Sequence, residues 1–304
     1  MESGNREHGS LHKVSSCTKD SGLSGMNEQQ FDLWAGLLED RTGMTLPLQR
    51  KSFLVTSLSL RMLEIGCATF EDYYQILHSG ANGEVEWKYL IDRLTVHETR
   101  FFRHLDSLRL VQEYARGKLP DPRTGHITVQ ILSAGCSTGE ESYSLAISLD
   151  QVRCRSGNPF YFGVMGTDIS LPSINIARTG EYNAFRLRGL PDDIRAEYFR
   201  STDGKKFQVN EELRKRVCFT PMNILAIPYN TLGKMDIIYC QNLLIYFERG
   251  RRYEIVDSLA KLLHPGGLLI LGSGELIEWG HPLMKKIRRP STLVYRLEQA
   301  PKRK

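Results

Sequence analysis

Between residues 27 and 94 the apolar positions recur at helical spacing. Phe31, Trp34, Ala35 and Leu38 fall at i, i+3, i+4 and i+7, as do Phe70, Tyr73, Tyr74 and Leu77, and again Trp87, Leu90, Ile91 and Leu94. Leu54, Leu58, Met62 and Ile65 form a further stripe. Gly43 with Pro47, Gly66, and the pair Gly80 and Gly83 punctuate these stretches as breakers. The pattern predicts a bundle of about four helices whose stripes are packing surface. After about residue 125 the period changes. Short apolar runs bounded by turn residues stand at 127–132, 160–165, 217–220, 235–240, 268–271 and 293–295, with helical spacing between several of them. That alternation predicts a mostly parallel sheet flanked by helices. The stretch 183–216 is polar, charged and long for a loop, and reads as a small subdomain or extra strands. The division is a leader over 1–26, a helical domain over 27–105 and a second domain over 106–304.

The run that ends at Ala134 leads straight into chemistry. It continues as SAGCSTGEE at 133–141, and Ser142, Leu145, Ala146 and Leu149 then take up helical spacing. A strand feeding a glycine-bearing turn into a helix brings backbone N–H groups close to a ligand, and glycine supplies positive φ without side-chain bulk. The spacing of Gly135 and Gly139 is GxxxG, whereas the dinucleotide fingerprint is GxGxxG with pyrophosphate on the helix N-terminus. Glu140 and Glu141 open the helix. Two acids there suit the helix dipole but repel a pyrophosphate, so they point to a cationic or hydroxyl-rich ligand. S-Adenosylmethionine fits, having no phosphate but a sulfonium and an ammonium. The next run ends at Asp168, where nucleotide-binding sheets place an acceptor for ribose hydroxyls. The competing reading of Asp168 is a helix N-cap.

Composition narrows the class. The 304 residues are 41% hydrophobic and 25% charged, the balance of a soluble globular protein, and no apolar run approaches the ~18–20 residues of a membrane span. Residues 1–26 lack an apolar core for a signal peptide and read as a disordered leader, so the expected compartment is the cytoplasm. Six scattered cysteines without CxxC, and eight histidines without HExxH, predict neither a disulfide framework nor a metal site. The formal charge of +5 decides nothing by itself. No dense Lys/Arg stripe interleaved with aromatics suggests nucleic acid.

Several motifs together resemble the CheR-type chemoreceptor glutamate methyltransferases, over nearly all of 27–297. The family's loop is close to SAGCSTGEEPYSLA, and this chain has SAGCSTGEESYSLA at 133–146. A family motif like TxNxTxFFR corresponds to TVHETRFFR at 95–103, and one like DxIxCRNxxIYF to DIIYCQNLLIYF at 236–247. ARTGEY at 177–182, FTPMNIL at 219–225 and LHPGGLLILGSGE at 263–275 agree as well. The resemblance implies an α/β, class I methyltransferase (Rossmann-like) sheet with a small β-subdomain insert at 183–216, preceded by an N-terminal all-α domain. It implies S-adenosyl-L-methionine as cofactor, with S-adenosyl-L-homocysteine as product. Glu141, with Glu140 as the neighbouring choice, and Asp168 would hold its methionyl and adenosyl portions beside Gly135. His97, Thr99 and Arg103 would form a lip, and Asn223, Ile224, Gln241 and Asn242 would close over adenine and ribose. Arg103 and Tyr246 would face the transferred methyl. His97 stands where the family commonly has Asn, Gln241 where it has Arg, and GSGE at 272–275 lacks a common His.

The implied reaction gives γ-glutamyl methyl esters on the cytoplasmic domain of methyl-accepting chemoreceptors, by a monomer that does not enter the membrane. A glutamate with an ordinary pKa of ~4.3 is already a carboxylate nucleophile at neutral pH, so alignment rather than a general base is required. Arg103 and Tyr246 are therefore orienting residues. The NPPY-like motif of amide and amine methyltransferases is absent; Tyr239-Cys240-Gln241-Asn242 stands in its place. Lys51 and Arg61 on the second helix are candidate cations for docking acidic receptor helices. The alternatives are a module that binds the cofactor or its product without transfer, an O-methyltransferase for another carboxylate and, remotely, a nicotinamide dehydrogenase.

Overall fold

The computed structural model describes residues 25–227 and 231–298. The leader expected over 1–26 lies outside these residues except at its end, where Met26 is already buried in the helical core. Four helices follow: α1 (Glu28–Thr42), α2 (Lys51–Ile65), α3 (Phe70–Leu77) and α4 (Ala81–Leu94). Asn27 starts α1 with a reciprocal capping box, its Oδ1 accepting from Gln30 N at 2.8 Å while Gln30 Oε1 accepts from Asn27 N at 3.0 Å. Thr69 caps α3. The apolar stripes face one another as their period requires, except that Ile65 at the end of α2 is 36% exposed. Gly83 does not break a helix. It lies inside α4, where a Cβ would stand 2.5 Å from the carbonyl oxygen of Leu77, so glycine lets α4 start against the end of α3.

The bundle carries one buried polar knot. Glu86 accepts from Arg61 Nε at 2.8 Å, from Arg61 Nη2 at 2.7 Å and from the Tyr73 hydroxyl at 2.7 Å. Arg61 also donates to Glu64 at 3.0 Å. Arg61 is thus committed to the bundle and is not a free docking cation. Burial pushes the Glu86 pKa up, but the hydrogen bonds from Arg61 and Tyr73 outweigh it and the net shift is downward. A depressed carboxylate contributes stability that is present above its unfolded pKa and lost as pH falls. Glu86→Gln is expected to destabilise the protein by about 2 kcal/mol at pH 7, in urea unfolding, with the difference from wild type shrinking below about pH 4.5.

Beyond the bundle, α5 (Leu105–Gly117) leads into β1 (Ile127–Ala134), α6 (Glu140–Arg153), β2 (Phe160–Asp168) and α7 (Leu171–Thr179). Next comes β3 (Glu181–Asn183), which begins two residues before the stretch expected as an insert at 183–216; that stretch holds α8 (Asp192–Tyr198), β4 (Phe199–Ser201), β5 (Lys206–Val209) and the short α9 (Glu211–Arg214). The chain returns through β6 (Val217–Pro221), β7 (Met235–Cys240), α10 (Arg249–Ala260), β8 (Leu263–Leu271), β9 (Met284–Ile287) and β10 (Leu293–Leu297). Seven strands form the main sheet in the order β6-β2-β1-β7-β8-β10-β9. Its first five strands are parallel, and β10 runs antiparallel to both neighbours. Strands β3, β5 and β4 form a separate antiparallel sheet, from pairs too short and polar to show as apolar runs.

The sheet divides two cores by the strand period of two. Ile131, Ile237, Leu268 and Ile270 pack with α5, α6, α7 and the small sheet, while Leu132, Ile238, Leu269 and Leu271 join α10 and the helical bundle in one continuous cluster. The bundle is therefore built onto one face of the sheet. Gly43, which ends α1 at φ 75°, lies where a Cβ would run into the side chain of Leu225. No single helix among the described residues is long and apolar enough to cross a membrane; the pair of segments Leu48–Ile65 and Phe70–Leu77 is bent by 77° and packs within the bundle. Strand order reverses between β1 and β7, which opens a crevice beyond their C-terminal ends.

Candidate active site

The glycine loop turns as its spacing requires. Gly135 and Gly139 have φ of 78° and 96°, and Ser137 between them has φ 49°. A Cβ on Gly139 would stand 2.8 Å from that of Ala177, so glycine here lets the start of α6 lie against α7. The N–H groups of Gly135 and Cys136 both donate to Thr167 O, at 2.8 and 2.9 Å, tying the loop to the end of β2. Asp168 completes the tie. Its Oδ2 accepts from Ser137 N at 2.8 Å and its Oδ1 from Ser170 N at 2.9 Å. The N-cap of α7 is Ser170, whose side chain accepts from Ser173 N, so Asp168 is not the cap. Burial raises the Asp168 pKa against those backbone bonds.

The cleft above this loop is lined by Gly135, Ser137, Glu141 and Asp168 from the sheet side, by residues 95–100 and Arg103 from the end of the bundle, and by Asn223, Ile224, 241–243 and 245–247. Of the residues singled out from sequence, His97, Thr99, Arg103, Gly135, Glu141, Asp168, Asn223, Ile224, Gln241, Asn242 and Tyr246 all line it. Glu140 does not. It is fully buried behind the helix start, accepts from Thr138 Oγ1 at 2.6 Å and pairs with Arg186 at 3.2 Å. Arg186 also donates to Thr99 O at 3.1 Å, so Glu140 fastens the small-sheet region to the lip instead of facing a ligand. Adjacent helix positions point about 100° apart, which is why only one of the two acids reaches the cleft.

Two lining residues spend their polar atoms on the protein. His97 Nε2 donates to Asp92 O at 2.6 Å and lies 3.2 Å from Asp92 Oδ1, while Nδ1 is 3.0 Å from Ser173 Oγ on α7. Burial pulls the His97 pKa down, but the Asp92 hydrogen bonds and charge prevail and raise it. Asp92 also accepts from Ser170 Oγ. His97 thus clasps the end of the bundle to the start of α7. Gln241 donates to Ser107 Oγ at 2.8 Å and Leu271 O at 3.4 Å, and accepts from the Tyr239 hydroxyl at 3.1 Å. Its amide is spent beneath the cleft. Asn242 holds φ 59°, a conformation asparagine tolerates, and its Oδ1 accepts from His104 Nε2 at 2.8 Å. Asn223 Nδ2 donates to Arg41 O on α1 at 3.1 Å.

Glu141 is the acid that faces the cleft. Ser133 Oγ donates to its Oε1 at 2.8 Å. Burial pushes its pKa up to about 8, the Ser133 bond opposes this, Glu275 adds to it and Arg103 counters it. Glu275, which is not among the residues singled out from sequence, acts on the site through its charge on Glu141. It is buried, its Oε2 accepts from Gly272 N at 2.7 Å, and its Oε1 has no partner among the described residues. Its only signal was the acid ending GSGE. Ser137 Oγ, buried in the cleft wall, has no partner among the described residues. An unpaired hydroxyl, a carboxyl poised to ionise and Asp168 together suit a ligand with hydroxyls and a cation.

A parallel sheet that reverses order above a GxxxG loop, with acids in place of a phosphate cradle, belongs to the S-adenosylmethionine-dependent methyltransferases. The chain belongs to the CheR methyltransferase family: its SAM binding domain matches residues 97–292, and its all-alpha domain matches residues 29–95. Similar proteins include the chemotaxis protein methyltransferase of Escherichia coli (strain K12), 30% identical over 253 residues, covering 82% of this chain and 85% of that one. That of Klebsiella aerogenes is 32% identical, covering 82% and 84%, and that of Borreliella burgdorferi 27% identical, covering 83% and 93%. The fold is the one the resemblance implied, and the cofactor is S-adenosylmethionine.

With Glu141 proposed as the partner of the cofactor's ammonium, its raised pKa is expected to make binding pH-dependent. A cofactor bearing an ammonium favours the carboxylate, so below about pH 8 binding must expel a proton. Affinity is expected to rise with pH toward about 8, by at most about tenfold per unit, and then to fall as the cofactor's own ammonium, with an ordinary pKa of about 8, loses its proton. Calorimetry at pH 7 in buffers of different ionisation enthalpy should register proton release; identical heats would overturn this role for Glu141.

Proposed function

We propose that the protein transfers the methyl group of S-adenosylmethionine to glutamate side chains on the cytoplasmic domains of methyl-accepting chemoreceptors, giving γ-glutamyl methyl esters, and that it does so as a cytoplasmic monomer. The observation that carries the choice of a carboxylate acceptor is the composition of the cleft mouth. Arg103 and Tyr246 line it, while both ring nitrogens of His97 are engaged by Asp92 and Ser173. An acceptor that is already ionised needs no base, and the names of the relatives tie this family to chemotaxis.

The cofactor supplies an electrophilic methyl on a sulfonium, held by Glu141 at the amino-acid end and Asp168 at the ribose. Ser137 Oγ adds a hydroxyl partner in the same wall. Arg103 orients the incoming carboxylate through its guanidinium, and Tyr246 donates a hydrogen bond to it. Burial raises the Tyr246 pKa, so its phenol stays protonated and can donate at neutral pH. The grip must stay moderate, since binding the carboxylate tightly in the ground state would slow attack. Incubation with methyl-labelled cofactor and receptor cytoplasmic fragments tests the reading. Alkali-labile label mapping to glutamate supports it; alkali-stable label, or none on any fragment, overturns it.

A further inference from the structure

Glu98 stands in the same cleft mouth and has no place in the reaction as described. Its backbone carbonyl accepts from Arg103 Nη1 at 2.8 Å, and its own carboxylate lies 3.5 Å from Arg103 Nη2. No other acceptor engages the Arg103 guanidinium among the described residues. One nitrogen is therefore anchored to the main chain, and the other is offered to a single carboxylate. Glu98 carries the same γ-carboxyl group as the proposed acceptor, lines the cleft, and is 81% exposed along its side chain, so it is free to swing away. Its charge is also felt at Tyr246, which places it near both orienting groups.

We infer that Glu98 is an internal stand-in for the acceptor: at rest its carboxylate holds Arg103 Nη2, and a substrate glutamate binds by displacing it. This rests on the assignment of Arg103 as the carboxylate-orienting residue. The contact is long and solvent-exposed, and such ion pairs contribute little, so displacement is easy. The device keeps the guanidinium turned toward the mouth between turnovers. It also sets a threshold, since a weakly held acid must outcompete a carboxylate tethered five residues away in the chain.

Steady-state methylation of a receptor fragment by wild type, Glu98→Gln and Glu98→Ala tests this, with the cofactor dissociation constant measured alongside. The KM for the fragment is expected to fall about two- to five-fold in both variants, with kcat moving less and cofactor affinity held. A KM that stays level or rises in both variants overturns the inference. The wild-type reaction is its own control: if it leaves no alkali-labile ester on the fragment, the proposed function fails first, and that result is distinct from an unchanged KM.

Discussion

Asp168→Ala is expected to raise the dissociation constant for S-adenosylmethionine about a hundred-fold, read by calorimetry at pH 8. The carboxylate ends β2 in the cleft wall and takes backbone N–H groups from Ser137 and Ser170. A hydrogen bond to a charged group contributes about 1.5–3 kcal/mol, and two ribose hydroxyls sharing one carboxylate reach the ~2.7 kcal/mol that corresponds to a hundred-fold. The alanine also frees Ser137 N–H and loosens the loop whose glycines shape the cleft. Asp168→Asn separates these effects, because its amide oxygen can still accept from one backbone N–H while the charge is gone. Since Ser170 caps α7, the helix survives either change. A variant with lowered thermal stability but undiminished affinity would show that Asp168 is only a strap for the loop.

Arg103→Ala is expected to lower kcat about a hundred-fold, the cost of about 1 Å of misalignment in a reaction that depends on a line of oxygen, methyl and sulfur. Cofactor binding should change far less, but not by zero. Arg103 counters the rise in the Glu141 pKa, so its loss leaves Glu141 harder to ionise at pH 7. Following the cofactor dissociation constant of both proteins from about pH 7 to 9 exposes that indirect effect, as a displacement of the variant's profile to higher pH. Arg103→Lys keeps the charge but not the two-pronged guanidinium, so it should restore binding at pH 7 while recovering only part of kcat. A kcat for Arg103→Ala within threefold of wild type would end its role as the orienting group.

Much of this molecule is legible in its residues taken in order. The stripes at Phe31 to Leu38, Leu54 to Met62, Phe70 to Leu77 and Trp87 to Leu94 became α1 to α4, and the apolar runs became the six strands β1, β2, β6, β7, β8 and β10. These elements are buried on one or both faces, so periodicity exposes them. β9 was not legible because Lys285 and Lys286 occupy its exposed middle at the sheet edge, where charge blunts pairing with another chain. The three short strands of the small sheet have no apolar run either, so the sequence marked their stretch as a subdomain or extra strands without locating any one of them. Helix α5 does have a stripe in Leu108, Val111 and Ala115, but it sits where the two halves join, and its partner is α6.

The site divides along the same line. Loop spacing, the paired acids and the acid ending β2 are local features, and local features can be read from neighbours in the chain. Three-dimensional packing decided that Glu141 and not Glu140 faces the cleft, because Arg186 draws Glu140 away from behind. It decided that His97 reaches Ser173 and that Gln241 reaches Ser107, contacts made 76 and 134 positions along the chain. It also placed Glu98 against Arg103 at the mouth. Periodicity reports which face of an element avoids water, whereas the direction of a polar side chain depends on which distant partner arrives to meet it.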